Sequence, residues 1–426
     1  MKSGKLQRLK CSVKNYDWGR PGRDSQVARL FALNSGSQFE PEKPYAELWM
    51  GTHDSGPSYL VSSGENGVLV GSETVTLKSW LSKNPNVLGE KVLEKWGCDL
   101  PFLLKVLSVA KALSIQAHPD KELARTLHKL QPDVYKDGNH KPEMALAITE
   151  FEALCGFISL EELKAVIHAV PEIVELVGTE GANLVLRIND KDGEETVKPV
   201  LRAVFTQLMS ASKDKVTEVI DRLKNRLHTE SRVRQLTSKE QLVLLLEKQY
   251  PADVGVISAF FLNHVKLNPG EALYLGANEP HAYISGECVE CMATSDNVVR
   301  AGLTPKYRDV QTLCSMLTYK QGSPEILRGV RLNPYVTRYL PPFDEFEVDC
   351  CILPRGETVV FPAIPGPSIF LVTAGEGTMN PGSPKGQVVT EGDVLFAAAN
   401  TEISVTSASE LHLYRTGVNS KFFQAQ

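Results

Sequence analysis

Residues 269–283 read PGEALYLGANEPHAY, and residues 391–405 read EGDVLFAAANTEISV. The two segments align without gaps, and glycine, acid, apolar, leucine, aromatic and asparagine residues recur in register. Each copy is typical of a turn, a strand, a second turn at asparagine and a returning strand. The repeat predicts two β-barrels or jelly rolls of one type.

The two copies differ at one position that matters for chemistry. His281 in the first copy corresponds to Ile403 in the second. If the histidine binds a ligand, the second barrel has lost that function and is structural.

Helical periodicity separates the two copies from the N-terminal part of the chain. Residues 159–250 carry apolar side chains at helical spacing, with capping boxes predicted at Ser159–Glu162 and Ser238–Gln241. The sequence therefore predicts a mainly β fold with an α-helical insertion. We expect one β domain split into residues 1–155 and 251–325, a helical domain at 156–250 and a second barrel at 326–426.

Composition limits the classes of function. The 426 residues include 46 Lys and Arg against 51 Asp and Glu, a net charge of −5 that argues against binding nucleic acid. The apolar stretches are too short for a membrane span, and the first residues lack the apolar segment of a secretory signal. Cys288-x-x-Cys291 has no second pair to complete a zinc site. We expect a cytoplasmic protein with reduced thiols that does not bind membranes.

Three short segments place polar residues on one face of a strand. Together they offer two imidazoles, one carboxylate and one amide oxygen, a plausible ligand set for Zn²⁺ with room for a substrate oxygen. Two histidines and a carboxylate equally suit Fe(II) in an oxygenase. The residues are Ser114, Gln116 and His118, then Lys141 and Glu143, and finally His281 and Tyr283. His53 and the other isolated histidines are predicted to be ordinary surface or core residues.

A basic segment follows at residues 295–309. It contains Arg300, Lys306 and Arg308, with Gly302 and Pro305 between them. Such a segment is either a solvated loop or an anion clamp for phosphate at the mouth of the barrel.

Several motifs together resemble the type I phosphomannose isomerases over nearly the whole chain, and motifs in this order are far more specific than a single pattern. They are YDWG at 16–19, YAELWMGTH at 45–53, SIQAHPD at 114–120, GNHKPEM at 138–144, NEPHAY at 278–283 and RAGLTPK at 300–306.

The resemblance implies two cupin-type jelly-roll barrels plus a helical domain. It also implies one Zn²⁺ per chain, bound by Gln116, His118, Glu143 and His281. Arg300 would be catalytic, with Lys141, Glu290, Asp296 and Tyr283 in the active-site cleft. Ser114 and Lys306, with Arg300, would bind the substrate and its phosphate.

The implied reaction interconverts D-mannose 6-phosphate and D-fructose 6-phosphate through an enediol and feeds mannose 1-phosphate and GDP-mannose synthesis. We expect a monomer whose partner is the phosphosugar. Three neutral ligands and one glutamate leave zinc a formal charge of +1, which keeps it a Lewis acid.

The proton-transfer base stays open between Glu290, Lys141, Asp296 and a zinc-bound hydroxide. Two other functions also stay open. One is an iron-dependent cupin oxygenase with the same ligands. The other is a non-catalytic protein with two cupin barrels that binds sugars or proteins.

Overall fold

The computed structural model describes residues 4–61, 75–382 and 386–424. Residues 1–3, 62–74, 383–385 and 425–426 belong to the first and last predicted ranges and lie outside the described residues.

The first part of the chain alternates short strands with helices. Its strands are β1 (Leu6–Lys10), β2 (Ser12–Lys14), β3 (Arg20–Pro21), β4 (Pro44–Tyr45), β5 (Glu47–Met50), β6 (Tyr59–Leu60), β7 (Phe102–Val109), β8 (Ile115–Ala117), β9 (Glu143–Ala147) and β10 (Phe151–Phe157). Its helices are α1 (Gln26–Ser35), α2 (Leu77–Lys83), α3 (Glu90–Trp96) and α4 (Lys121–Leu130). Asp120 caps α4, because its side chain accepts a hydrogen bond from the backbone nitrogen of Leu123.

Between β10 and the next strand the described chain is helical. The helices are α5 (Leu160–Ala169), α6 (Pro171–Val177), α7 (Thr179–Arg187), α8 (Glu194–Met209), α9 (Lys213–Glu230), α10 (Ser238–Gln249) and α11 (Val254–Ser258). We call these helices the helical block. The capping box predicted at Ser159 is confirmed. The one predicted at Ser238 is wrong by one residue, because Thr237 and Glu240 form it.

The last part of the chain returns to strands. They are β11 (Leu262–Leu267), β12 (Ala272–Leu275), β13 (His281–Ala293), β14 (Val299–Gly302), β15 (Ile326–Leu327), β16 (Val330–Arg331), β17 (Val336–Tyr339), β18 (Glu347–Leu353), β19 (Thr358–Phe361), β20 (Ser368–Ala374), β21 (Glu376–Asn380), β22 (Gln387–Thr390), β23 (Val394–Ala397), β24 (Ile403–Ser407) and β25 (Leu411–Gly417). The helices are α12 (Val310–Met316) and α13 (Ser420–Gln424).

The strands form two large sheets and two small ones among the described residues. One large sheet runs β15-β12-β9-β13-β7-β5-β2, with β8 and β10 paired to β13, β14 paired to β8 and β11 paired to β10. The other runs β16-β17-β18-β25-β20-β23-β1-β6, so the first strand of the chain belongs to the C-terminal sheet. A sheet-rich molecule with a helical segment is therefore confirmed. The cupin assignment and the three domain ranges stay predictions.

The internal repeat has the same backbone in both copies. Gly270 and Gly392 have φ of +86° and +89°, and Asn278 and Asn400 have φ of +61° and +59°. Asparagine tolerates this left-handed conformation better than most residues. In each copy the asparagine turn joins an outgoing strand to a returning one, as β12 to β13 and as β23 to β24.

The helical block packs against the strands that carry the candidate site. The ring of Phe205 in α8 lies 5.2 Å from that of Phe157 in β10, centroid to centroid, and 6.4 Å from that of Tyr319. Phe205 and Phe157 are fully buried, as are Val299 and Ala301 of β14. This shared core fixes the block against β14. In the described part of the chain, no helix combines the length and the apolar character needed to cross a bilayer.

Candidate metal centre and its cavity

Strand pairing brings three predicted site residues side by side. His281 at the start of β13 pairs with Gln116 of β8, and Gln116 pairs with Arg300 of β14. Side chains of directly opposed residues lie on the same face of a sheet. The sheet register therefore places an imidazole, an amide and a guanidinium in one row.

Three of the predicted metal ligands form a buried cluster. One ligand atom each from His118, Glu143 and His281 lies within 4.8 Å of the other two. The side chains are 1%, 3% and 1% exposed. Oε2 of Glu143 lies 3.3 Å from Nε2 of His118 and 3.3 Å from Nε2 of His281.

Backbone carbonyls orient both imidazoles. Nδ1 of His118 lies 2.7 Å from the carbonyl oxygen of Asn297, and Nδ1 of His281 lies 3.0 Å from that of Glu279. A carbonyl only accepts, so each Nδ1–H donates and each Nε2 carries a lone pair. Burial lowers the pKa of His118 to about 4, so its ring is neutral near pH 7.

Glu143 is the anionic member of the cluster. Burial alone would raise its pKa, but the Lys141 ammonium, 3.6 Å from Oε1, is among the neighbouring groups that hold the pKa well below its ordinary value. The carboxylate is therefore ionised.

This geometry fits a metal cation. Neither Nε2 has a hydrogen-bond partner among the described residues, although both atoms are buried. Two lone pairs and a carboxylate oxygen converge on one point, which is unfavourable without a positive charge between them. Neutral histidines with carboxylate and amide oxygens form a donor set suited to Zn²⁺.

A polar network behind the cluster fixes the Asn297 carbonyl. Oδ1 of Asp137 accepts hydrogen bonds from Oγ of Ser295 at 2.9 Å and from the backbone nitrogen of Asn139 at 2.9 Å. The Asn297 side chain donates to the Asp137 carbonyl at 2.7 Å. The loop that orients His118 is thus held on several sides.

A cavity of about 750 Å³ opens in front of the centre. Six of the predicted site residues line it, namely Ser114, Gln116, Lys141, Asp296, Arg300 and Lys306. Burial lowers the pKa of Arg300, but it is still a strong base and stays charged. The cavity therefore combines a metal-type centre with several cationic side chains.

Glu290 and Tyr283 are predicted site residues that lie behind the cavity wall. Tyr283 donates to Oε2 of Glu290 at 2.6 Å, and the two are 4% and 3% exposed. Burial raises the pKa of Glu290 above its ordinary value. Lys105 connects them to the cavity. It lines the cavity, and its Nζ lies 3.2 Å from Oε1 of Glu290.

Sequence reasoning missed Lys105. Its ammonium also lies 3.3 Å from Oε2 of Glu47 and 4.9 Å from the centroid of the Trp49 ring. The two carboxylates outweigh the effect of burial and raise the pKa of Lys105. A lysine in the largely apolar segment FLLKVLSV was the available signal, because buried lysines are rare unless paired.

His53, predicted from the sequence to be a surface or core histidine, is buried and lines the cavity. Its Nε2 lies 2.9 Å from Oδ1 of Asp296, and its Nδ1 accepts from the backbone nitrogen of Ser55 at 3.0 Å. Nε2–H therefore donates to Asp296 and lowers the pKa of that carboxyl group.

Two other features of the sequence are not part of the centre. His140 pairs with Glu345, with 2.5 Å between Nε2 and Oε1. Cys288 and Cys291 are both buried free thiols and belong to different apolar clusters.

Family models and curated relatives all point to the same protein family. Models for type I phosphomannose isomerases match their catalytic domain at residues 6–160, their helical insertion domain at 176–262 and their C-terminal region at 339–384. Mannose-6-phosphate isomerase 1 of Arabidopsis thaliana is 64% identical over 98% of this chain and 95% of its own. The human mannose-6-phosphate isomerase is 40% identical over 96% and 97%.

Solved structures agree with the sequence comparison. A single-substitution variant of phosphomannose isomerase from Salmonella typhimurium has a TM-score of 0.81 at 28% identity, covering 98% of this chain and 100% of its own. A zinc-bound mannose 6-phosphate isomerase has a TM-score of 0.79 at 28% identity, with the same coverage.

Proposed function

The chain belongs to the type I phosphomannose isomerases, and on that basis we propose that it is a zinc-dependent isomerase of D-mannose 6-phosphate and D-fructose 6-phosphate. The supporting observation is the pair of partnerless Nε2 atoms around the Glu143 carboxylate, next to a cavity with cationic side chains.

The metal would be held by Gln116, His118, Glu143 and His281. When bound, zinc supplies Lewis acidity toward the substrate oxygens on C1 and C2, where negative charge develops. The support for Gln116 as the fourth ligand is its register with His281.

Phosphate binding is assigned to Lys306 and Ser114, with Arg300 closer to the metal. Both assignments are supported by position, since Lys306 and Ser114 line the cavity and Arg300 lies in register with Gln116. A guanidinium beside a metal ligand can stabilise the anionic oxygen of an enediolate.

Proton transfer between C1 and C2 needs a group that faces the sugar. Asp296 and Lys141 line the cavity, whereas Glu290 is reached through Lys105. The hydrogen bond from His53 keeps Asp296 ionised and able to accept a proton. We therefore assign Asp296 and Lys141 to direct proton transfer and Glu290 to the support of Lys105.

The proposal extends to the setting of the reaction. The isomerase acts as a cytoplasmic monomer, and its mannose 6-phosphate supplies mannose 1-phosphate and GDP-mannose synthesis. Two cupin-type barrels, the first interrupted in sequence by a helical domain, provide its frame.

The test is a coupled isomerase assay on the purified protein with metal analysis, before and after chelation and zinc re-addition. We expect about one zinc per chain, loss of turnover on chelation and recovery with zinc. Gln116→Ala and His281→Ala should lose both metal and activity. His128→Ala is the matched control, because its Nδ1 is bound to the Tyr135 carbonyl outside the cavity.

Other outcomes would favour the competing functions. Full turnover after complete metal removal would refute the zinc role. Iron with oxygen uptake would indicate an oxygenase, and tight sugar binding without turnover would indicate a binding protein.

A further inference from the structure

The C-terminal end of the helical block contacts the backbone of both segments to which phosphate binding is assigned. We call residues 249–253, from the last residue of α10 to the residue before α11, the junction segment. One contact is with residues 303–306, which follow β14, and the other is with residues 111–114, which precede β8.

Asp253 binds the loop that carries Lys306. Oδ1 of Asp253 accepts from the backbone nitrogen of Leu303 at 2.7 Å, and Oδ2 accepts from that of Thr304 at 3.0 Å. Oδ1 also accepts from Gly255 at 2.7 Å, which caps α11. The backbone nitrogen of Lys306 in turn donates to Oγ1 of Thr304 at 3.0 Å. Two hydrogen bonds in series, through Thr304, thus connect the backbone of Lys306 to Asp253.

The loop has little freedom to adopt another path. Leu303 is 1% exposed and has φ of +54°, a conformation that is uncommon for leucine. A Cβ added at Gly302 would lie 2.5 Å from Cα of Gly255, and one added at Gly255 would lie 2.5 Å from the nitrogen of Leu303. The two backbones are in contact, and the Asp253 carboxylate satisfies the amides where they meet.

The junction segment also contacts Lys111 and Ala112, which precede Ser114 in the chain. The backbone nitrogen of Ala112 donates to Oε1 of Gln249 at 3.0 Å, and the Tyr250 hydroxyl donates to the carbonyl of Ala112. Nζ of Lys111 lies 4.3 Å from the centroid of the Tyr250 ring. Both backbone groups of Ala112 are therefore held by the helical block, two residues before Ser114.

We propose that the junction segment is the positioning element of the phosphate site, through Asp253 on the Lys306 loop and through Gln249 and Tyr250 on the Ser114 segment. The inference rests on the proposed function. It gives the helical block a role in substrate binding, although its helices contribute none of the assigned metal ligands. Fixed backbone on two sides holds the cationic and hydroxyl groups in one geometry before the substrate arrives.

Asp253→Asn is the most direct variant. Asparagine keeps the shape and one acceptor oxygen, but it turns an NH₂ group toward one of the backbone amides that the carboxylate now accepts from. Loss of a charge-assisted hydrogen bond should raise KM for mannose 6-phosphate by roughly tenfold, with kcat changed by less than about threefold. Zinc content should be unchanged, because Asp253 contacts none of the assigned ligands.

Tyr250→Phe is a milder second variant. It removes the hydroxyl that donates to Ala112 and keeps the ring beneath Lys111, so we expect KM to rise about threefold. It keeps the inference testable if Asp253→Asn folds poorly.

A double-mutant cycle separates positioning from general weakening. If Asp253 acts by holding Lys306, Asp253→Asn should raise KM far less in a Lys306→Ala background than in the wild type. The dissociation constant of inorganic phosphate, measured by calorimetry, should follow the same pattern without turnover.

Lys239→Met, in the first turn of α10, is the matched control. Its ammonium donates to the carbonyls of Ala259 and Leu262 instead of to either phosphate segment. We expect it to lower the melting temperature and leave KM unchanged.

The inference is overturned on its own if the wild type isomerises mannose 6-phosphate but both junction variants keep wild-type KM and phosphate affinity. It is also overturned if Lys239→Met raises KM as much as Asp253→Asn, or if the cycle is additive. A wild type that does not isomerise the sugar phosphate refutes the proposed function and, with it, this role of the segment.

Discussion

Replacing Glu143 with glutamine should have opposite effects on stability with and without metal. Oε2 of Glu143 faces both partnerless Nε2 atoms at 3.3 Å, and Oε1 faces the Lys141 ammonium at 3.6 Å. In Glu143→Gln the amide oxygen takes the side of Lys141, which needs an acceptor. The NH₂ group then points its two hydrogens at the two imidazole lone pairs.

The magnitude follows from these contacts. Without metal, the variant gains two hydrogen bonds at sites that repel in the wild type. At ~0.5–1.5 kcal/mol each, the free energy of unfolding should rise by about 1–3 kcal/mol. With zinc, the wild type gains about 4 kcal/mol when free metal is 1,000 times the dissociation constant, and the variant loses most of this because its only anionic ligand is gone.

The assay is thermal or chemical unfolding of both proteins at pH 8, where His118 is neutral, with chelator and with added zinc. Metal-free Glu143→Gln should be more stable than the metal-free wild type, and the order should reverse with zinc. Equal stabilisation of both proteins by zinc, or a less stable metal-free variant, would refute the assignment of the histidine tautomers and of the centre.

Two further predictions concern other parts of the molecule. Ile403→Ala, at a side chain 1% exposed, should lower the free energy of unfolding by about 2–4 kcal/mol and leave zinc content unchanged by elemental analysis; a loss of zinc would contradict a purely structural second copy. Lys105→Met removes the cation between Glu47 and Glu290 and should cost about 3–5 kcal/mol near pH 8. Because burial already raises the pKa of Glu290, the deficit should shrink as pH falls through that pKa and grow as pH rises through it, and a deficit independent of pH in urea unfolding would contradict it.

The sequence was most informative where periodic signals and local chemistry agree. The repeat predicted the asparagine turns at 278 and 400 because glycine, acid and asparagine recur in register, and both turns have the same left-handed backbone. Alternation along residues 114–118 predicted a shared face for Gln116 and His118, and Gln116 pairs with His281.

Long-range partners and short helices were less predictable. The pairs of His53 with Asp296 and of Lys105 with Glu290 join residues more than 180 positions apart, which no local pattern encodes. Helices α6 and α7 lie inside the predicted helical range, but their bounds were not predicted, because each has fewer than ten residues and makes only about two turns. The cap of α10 was misplaced because Thr237 and Ser238 are both good N-cap residues.

The duplicated turn allows the two copies within this chain to be compared with each other. Asn278 and Asn400 share the same left-handed backbone, so this residue serves the reversal of the chain in both copies. His281 lies opposite Gln116, whereas Ile403 lies opposite Phe361. A histidine placed at 403 would follow the same main-chain turn as His281 but would still lie opposite an aromatic ring, so a metal site there would depend on the neighbouring side chains rather than on the backbone.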